Sequence, residues 1–173
     1  MKIKELFKSW GIPIIIAAII ALLLNKFVFF IAEIPSKSMV PTLNVDDRLI
    51  VTRVYNTDKI KRGDIIVFHS REYNDIFIKR VIGLPGDKVQ VIKGIVYVNG
   101  EELVEDYIPE DNNELTYSRD FEVPEGKFLF FGDNRKNSDD ARKWKKTTYI
   151  DGEDIMGKAQ IKIYPFSDFK FLN

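Results

Sequence analysis

The chain has 173 residues, enough for one domain with a hydrophobic core and an appended segment. Its 26 Lys and Arg residues balance 26 Asp and Glu residues, so no net positive charge favours binding to nucleic acid. There is no cysteine, which excludes thiol nucleophiles, disulfide frameworks and cysteine-based zinc sites. A histidine-dependent triad or metal site would have to be built around His69 alone.

The first element in the chain is a predicted transmembrane helix. Three lysines precede the uncharged residues 11–24, and a second apolar run follows Lys26. As a helix, residues 12–31 span about 30 Å, the thickness of the hydrocarbon core of a bilayer. The lysines before the span indicate a cytoplasmic N-terminus. We therefore predict a cytoplasmic segment at 1–10, a transmembrane helix at 11–32 and an extracytoplasmic catalytic β domain at 33–173.

Two alternatives to a membrane-spanning helix stay open. A cleaved secretory signal peptide also combines a basic start with an apolar run, although the end of this run, Phe-Phe-Ile-Ala-Glu-Ile-Pro, lacks a pattern of small residues for cleavage. A helix buried in the protein core is the second alternative, and Pro13 and Lys26 support it. The side chain of Lys26 would lean toward the helix N-terminus, which points it into the membrane.

After Pro35 the pattern becomes that of short β-strands. Apolar runs rich in branched and aromatic residues are bounded by turn formers such as Lys-Arg-Gly-Asp and Leu-Pro-Gly-Asp. These runs predict strands at 48–54, 64–68, 76–82, 88–92, 95–98, 127–131 and 158–164. The pairs Lys93-Gly94 and Asn99-Gly100 predict two tight turns in succession, and the polar residues 104–126 predict a long surface connection. The predicted fold class is mainly β, with one N-terminal transmembrane helix followed by one extracytoplasmic β domain.

Lys79 is a candidate general base for a serine nucleophile. Alternation along its strand places Phe77, Lys79 and Val81 on one face. Apolar neighbours lower the pKa of a lysine because they disfavour its charged form, and a lysine base requires such a shift. Two alternatives remain, a solvated lysine on an edge strand and His69 as the base.

The segment GDNRKNSDDAR at 132–142 is dense in Asp, Asn, Arg and Ser. A solvated turn has this composition, but the charged residues could also pair with one another and fix a site. The charged residues in question are Asp133, Arg135, Asp140 and Arg142. Ser138 would then be placed to orient a neighbouring amine. The segment lacks the ligand spacing of a calcium loop, so we predict no metal site.

Four motifs follow the apolar segment in a fixed order, PSKSMVPTL, DIIVF, KRVIGLPGD and GDNRKNSDDAR. In this order they resemble the type I signal peptidases of bacteria, and the resemblance extends to about Ile163. It implies a membrane-bound serine endopeptidase with a β domain of the signal peptidase type, which removes N-terminal signal peptides from exported preproteins. The implied partners are signal peptides, membrane lipid and the nearby protein export machinery, without nucleic acid and without a cofactor.

The resemblance also implies roles for individual residues. By motif, Ser38 would be the nucleophile and Lys79 the general base of a serine/lysine dyad. The hydroxyl of Ser36 and the backbone N–H of Ser38 would form the oxyanion hole, and Ser138 would hydrogen-bond Lys79. The residues bracing the site would be Asp140 with Arg142 and Asp133 with Arg80. An extended substrate would add to a sheet edge.

The chain departs from the family pattern at Lys136 and Ala141, which lie between the bracing residues. Two other functions remain open beside the peptidase. A self-cleaving Ser/Lys protein of the repressor type shares the dyad chemistry, but no DNA-binding region is visible here. A membrane-tethered binding module could keep the fold without activity, although Ser38, Lys79 and Ser138 are all present.

Overall fold

The computed structural model describes residues 10–109, 111 and 116–172. Within them helix α1 spans Ile12–Phe27. The strands are β1 Phe29–Glu33, β2 Arg48–Arg53, β3 Ile65–Ser70, β4 Asp75–Gly83, β5 Lys88–Ile92, β6 Ile95–Val98, β7 Glu101–Glu102, β8 Arg119–Glu122, β9 Lys127–Phe131, β10 Ile150–Asp151, β11 Ile155–Tyr164 and β12 Lys170–Phe171. The mainly β class predicted from the sequence is confirmed.

The strands form two antiparallel sheets. The larger sheet has the order β1-β2-β11-β3-β4-β9-β10, with β12 pairing to β11, and the smaller sheet has the order β7-β6-β5-β8. Both predicted tight turns are present in the smaller sheet. Lys93, Gly94, Asn99 and Gly100 all have positive φ, as a two-residue type I′ turn requires at both central positions.

The larger sheet separates two hydrophobic cores. Because side chains alternate along β3, Ile66 and Phe68 pack into the first core, whereas Ile65 and Val67 pack into the second. The first core also contains Val89 and other inward-facing residues of the smaller sheet. The two sheets are therefore held together by a shared core.

The C-terminal end of the predicted transmembrane helix is corrected by the structure. Helix α1 ends at Phe27 instead of continuing to residue 32. The aromatic and branched residues that follow favour extended backbone, and they form the edge strand β1 paired with β2. No side chain of α1 is buried, so the alternative of a core helix is wrong. In the described part of the chain, no helix is both long and apolar enough to cross a membrane.

The prediction of a surface connection over residues 104–126 is also wrong in part. Strand β8 lies within it and pairs with β5, and Phe121 on β8 is buried in the first core. The strand could not be recognised from its polar composition, because only one of its side chains faces inward. Ahead of β8, the side chain of Glu105 also turns inward, toward the candidate site.

Candidate active site

Ser38 lies in a short 3₁₀ turn that is fixed from two sides. On one side, the following residue, Met39, is fully buried in the second core. On the other side, Asn134 donates its backbone N–H to the carbonyl of Ser38 and its side-chain amide to the carbonyl of Lys37, both at 3.0 Å. The Ser38 hydroxyl is thereby held in one place beside strand β4.

Lys79 on β4 approaches this hydroxyl directly. Its Nζ lies 2.8 Å from Ser38 Oγ and 3.1 Å from the carbonyl oxygen of Ile78. The residue is 4% exposed, and its Nζ is 5.1 Å from the centre of the Phe77 ring. The apolar face predicted for Lys79 is therefore observed, and the serine and the lysine are in hydrogen-bond contact.

Burial lowers the pKa of Lys79 to about 8. Removal of water disfavours the ammonium form and is the largest effect, and it is opposed in part by the negative charges of Asp140, Asp139 and Asp133. An amine with this pKa is partly unprotonated near neutral pH. In that form it accepts a proton from the hydroxyl instead of donating one.

Ser36 is exposed and lies two residues before Ser38. Its hydroxyl donates to Ser38 Oγ at 3.3 Å. A donor in this position is close to any carbonyl oxygen that sits against the serine. The structure therefore brings together the three residues Ser36, Ser38 and Lys79.

Two buried ion pairs, Asp140 with Arg142 and Asp133 with Arg80, meet at the dipeptide Gly132-Asp133. Arg142 binds both carboxylate oxygens of Asp140 at 2.9 Å, and Gly132 donates its N–H to the same carboxylate at 2.9 Å. Arg80 binds both carboxylate oxygens of Asp133 at 2.9 and 2.6 Å. Burial alone would raise the pKa of Asp140, but the hydrogen bonds and charge of Arg142 lower it below its usual value.

Ser138 is buried next to these pairs, but the predicted hydrogen bond to Lys79 is absent. The amine of Lys79 bonds instead to Ser38 and to the Ile78 carbonyl. Ser138 packs closely against Gly132. A Cβ atom at Gly132 would lie 2.2 Å from Ser138 Oγ and 2.4 Å from the carbonyl oxygen of Ser38, so only glycine fits at this position.

Arg135 pairs outside its own segment, contrary to the sequence-based expectation. Its guanidinium binds both carboxylate oxygens of Glu105, with Nη1 at 2.9 Å from Oε2. Tyr107 donates its hydroxyl to Glu105 Oε1 at 2.5 Å, and its ring covers the guanidinium of Arg80 at 3.8 Å. The sequence carries no signal for Glu105 and Tyr107, because both lie in a polar stretch without periodicity.

Comparisons with known proteins identify the family of the chain. The family model for signal peptidase, peptidase S26, matches residues 7–164. The chain belongs to this family. The family comprises serine peptidases, so the chain is a hydrolase.

Curated relatives support the same family. A signal peptidase I of Leptolyngbya laminosa is 42% identical over 159 residues, covering 87% of this chain and 76% of that protein. A signal peptidase I of Bacillus licheniformis is 37% identical over 176 residues, covering 96% of this chain and 94% of that protein. A solved structure of a signal peptidase I from Enterococcus faecalis V583 is 33% identical, with a TM-score of 0.48, and covers 58% of this chain and 96% of that one.

His69 lies apart from the serine and lysine of this family member. On β3 it pairs with Ile76, whereas Lys79 pairs with Ile66 without an intervening bulge. Cross-strand partners share a face of the sheet, and residues an odd number apart point to opposite faces. The imidazole therefore lies on the opposite face of the β3–β4 pair from the Lys79 side chain.

The two departures from the family pattern have simple structural explanations. Lys136 is exposed, and its ammonium donates to the backbone carbonyl of Asp111. Ala141 is fully buried in the first core. Neither side chain contacts the Ser38 hydroxyl or the amine of Lys79.

A cleft of about 490 Å³ opens at the Ser38 hydroxyl. It is lined by residues 35–38, by residues 75–79 of β4, and by Asn137 and Asp139. Strand β4 pairs with β9 only from Arg80 onward, so its earlier residues present a free edge on this side. A free strand edge offers backbone donors and acceptors to an extended peptide.

Proposed function

We propose that the chain cleaves N-terminal signal peptides from exported preproteins, with Ser38 as the nucleophile and Lys79 as the general base. The contact of 2.8 Å between the buried Lys79 amine and the Ser38 hydroxyl carries this proposal. The relatives named signal peptidase I support the substrate class.

The geometry supports a two-step acyl transfer. In the first step Ser38 Oγ attacks the scissile carbonyl carbon while Lys79 takes the hydroxyl proton, and Lys79 then gives this proton to the departing amine. An ester between Ser38 and the signal peptide is formed. In the second step Lys79 takes a proton from a water molecule, the resulting hydroxide attacks the ester, and the proton returns to Ser38 Oγ.

The free edge of β4 would hold the substrate. A signal peptide that enters the cleft in extended form pairs with residues 75–78 through its backbone, which places a carbonyl beside Ser38. Ser36 and the backbone N–H of Ser38 then stabilise the oxyanion that develops. Arg80, Asp133, Asp140, Arg142 and Ser138 hold the surrounding backbone.

The direct test is to incubate the purified chain in detergent with a preprotein and to map the cut by mass spectrometry. The expected result is a single cut at the end of the signal peptide. Absence of cleavage, or cuts scattered through the mature region, would contradict the proposal. A folded protein without a signal peptide serves as the control substrate.

Replacement of Ser36 by alanine tests the oxyanion role. Loss of one such donor costs about 10²- to 10³-fold in kcat, whereas KM should change little because the donor acts mainly in the transition state. Steady-state kinetics on a precursor measure both constants. Ser167→Ala, which removes an exposed hydroxyl from the far end of the chain, is the matched control. A change confined to KM would contradict the role.

We also propose that α1 attaches the chain to the cell membrane, with the catalytic domain outside the cytoplasm. All of α1 is exposed although it is apolar, and an apolar row on the larger sheet continues from it. This row consists of Ile31, Ile50, Ile161 and Phe171, which pair in sequence across β1, β2, β11 and β12. Its end members Ile31 and Phe171 are 59% and 69% exposed, so lipid could cover helix and row together.

Protease protection measures this topology. Protease added outside spheroplasts should digest residues after Pro35 and spare an epitope tag placed before Lys2. After lysis the tag should also be lost, which shows that the tag itself is cleavable. The reverse pattern would place the catalytic domain in the cytoplasm and contradict the proposal.

A further inference from the structure

Residues 103–109, here called the strap, connect the smaller sheet to the candidate site. The strap leaves β7 with the Leu103 N–H bonded to the carbonyl of Val96 at 2.8 Å, and Leu103 packs against the first core. Glu105 then turns inward, and its side chain is only 10% exposed. The structure therefore fixes the strap at its start and buries its charged residue.

Glu105 reaches the Ser38 turn through Arg135. The guanidinium of Arg135 forms a fork with the Glu105 carboxylate, and its Nε donates to the carbonyl of Gly132 at 3.1 Å. Gly132 lies directly against the carbonyl oxygen of Ser38, where no Cβ fits. A displacement of Arg135 is thus transmitted to the backbone that supports Ser38.

Tyr107 forms a second connection from the same strap. Burial and the neighbouring Glu105 raise the pKa of Tyr107, so its hydroxyl stays protonated and donates to Glu105. Its ring lies over the guanidinium of Arg80, which forms a buried ion pair with Asp133. Asp133 also accepts a hydrogen bond at 2.5 Å from the hydroxyl of Thr42, a residue that lies shortly after Ser38 in the chain. Both connections therefore end at the Gly132-Asp133 dipeptide.

We propose that Glu105 is a positioning residue for the peptidase reaction, acting through Arg135 on the backbone that holds Ser38, with Tyr107 orienting its carboxylate. This inference rests on the proposed function. Glu105 bonds to neither Ser38 nor Lys79 and moves no proton. Its contribution is geometric, because a nucleophile displaced by about 1 Å can lose 10²-fold in rate.

The charge of Glu105 is essential to this role. Arg135 is buried, with 3% of its side chain exposed, and a buried guanidinium without its carboxylate is strongly destabilised. We expect such a guanidinium to move toward water, which would release the Gly132 carbonyl. Glutamine at position 105 keeps the shape of the side chain and removes the charge that prevents this movement.

The test compares Glu105→Gln with Glu102→Gln in detergent on a precursor. Glu102 lies three residues earlier on β7 and is exposed, so its variant should match the wild-type chain. We expect Glu105→Gln to lower kcat by about 10- to 100-fold with KM within about two-fold of wild type. Circular dichroism gives each unfolding midpoint, and the assays are run well below it. A purely structural role would lower the midpoint and leave kcat unchanged, and that result would overturn the proposal.

A second pair of variants tests the route of action. If Glu105 acts through Arg135, adding Glu105→Gln to Arg135→Met should cause no further loss of kcat. A double variant whose loss of kcat is the product of the two single losses would overturn the route.

If Glu105→Gln does not fold, Tyr107→Phe tests the proposal in its place, because this variant keeps the ring over Arg80 and removes the hydrogen bond to Glu105. We expect it to lower kcat about 3- to 10-fold, and an unchanged kcat would overturn the proposal. Failure of the wild-type chain and of Glu102→Gln to cleave would instead refute the proposed function.

Discussion

Replacement of Ser38 by alanine should abolish cleavage of a preprotein and leave the folded structure intact. The hydroxyl is the nucleophile in the proposed reaction, and its removal leaves no atom to form the ester. In serine peptidases the loss of the nucleophile lowers kcat on the order of 10⁶-fold. Because alanine has nearly the shape of serine and Met39 continues to fill the second core, the unfolding midpoint should stay close to that of the wild-type chain.

The measurement is precursor processing by the purified variant, followed by gel shift and mass spectrometry. Ser167→Ala, which removes an exposed hydroxyl elsewhere, should process the precursor normally. Substantial processing by Ser38→Ala would show that Ser38 is not the nucleophile. An unfolded Ser38→Ala chain would contradict the view that the hydroxyl serves chemistry and not stability.

The positions of seven strands and of two turns could be predicted because alternation and turn chemistry are local signals. The face shared by Phe77 and Lys79 follows from their spacing alone. The two turns at Lys93-Gly94 and Asn99-Gly100 follow from the need for positive φ. Each of these inferences uses residues that are close in sequence, and the structure agrees with each.

The helix boundary could not be predicted from composition. The residues of β1 are as apolar as those of α1, so hydropathy continues smoothly from one element to the other. What ends the helix is the pairing of β1 with β2, which lies farther along the chain. This pairing reinforces the preference of the aromatic and branched residues of β1 for extended backbone, a preference that hydropathy does not report.

The contacts that assemble the site also join distant parts of the chain. Ser38 and Lys79 meet across 41 positions, and Arg80 and Asp133 meet across 53. Individual residues gave no reason to pair them, and only the resemblance to a family did so. Glu105 and Arg135 lie 30 positions apart, and Glu105 lies outside the quoted motifs, so their pairing became visible only in the structure.

The activity of the chain should rise with pH as Lys79 loses its proton. Burial lowers the pKa of this amine to about 8 from an ordinary value of 10.5. The protonated amine cannot accept the Ser38 proton, so kcat/KM should fall on the acid side with a midpoint near 8 in the free enzyme. The measurement is the pH profile of kcat/KM on a precursor.

A neighbouring charge provides a matched control for this profile. Asp139 is exposed in the cleft, and its negative charge raises the pKa of Lys79 against the effect of burial. Asp139→Asn removes that charge, so the acid limb should move to lower pH. A limb that stays in place, or moves to higher pH, would show that a group other than Lys79 controls the rate.

Substitutions at Lys79 test directly whether its amine is the base. Lys79→Arg should be as damaging as Lys79→Ala, because a guanidinium stays protonated and cannot act as a base. Both variants should lose essentially all processing. His69→Ala should be nearly silent, because the imidazole lies on the opposite face of the β3–β4 pair from Lys79. Near-normal processing by Lys79→Ala together with loss of processing in His69→Ala would replace the lysine mechanism by one based on histidine.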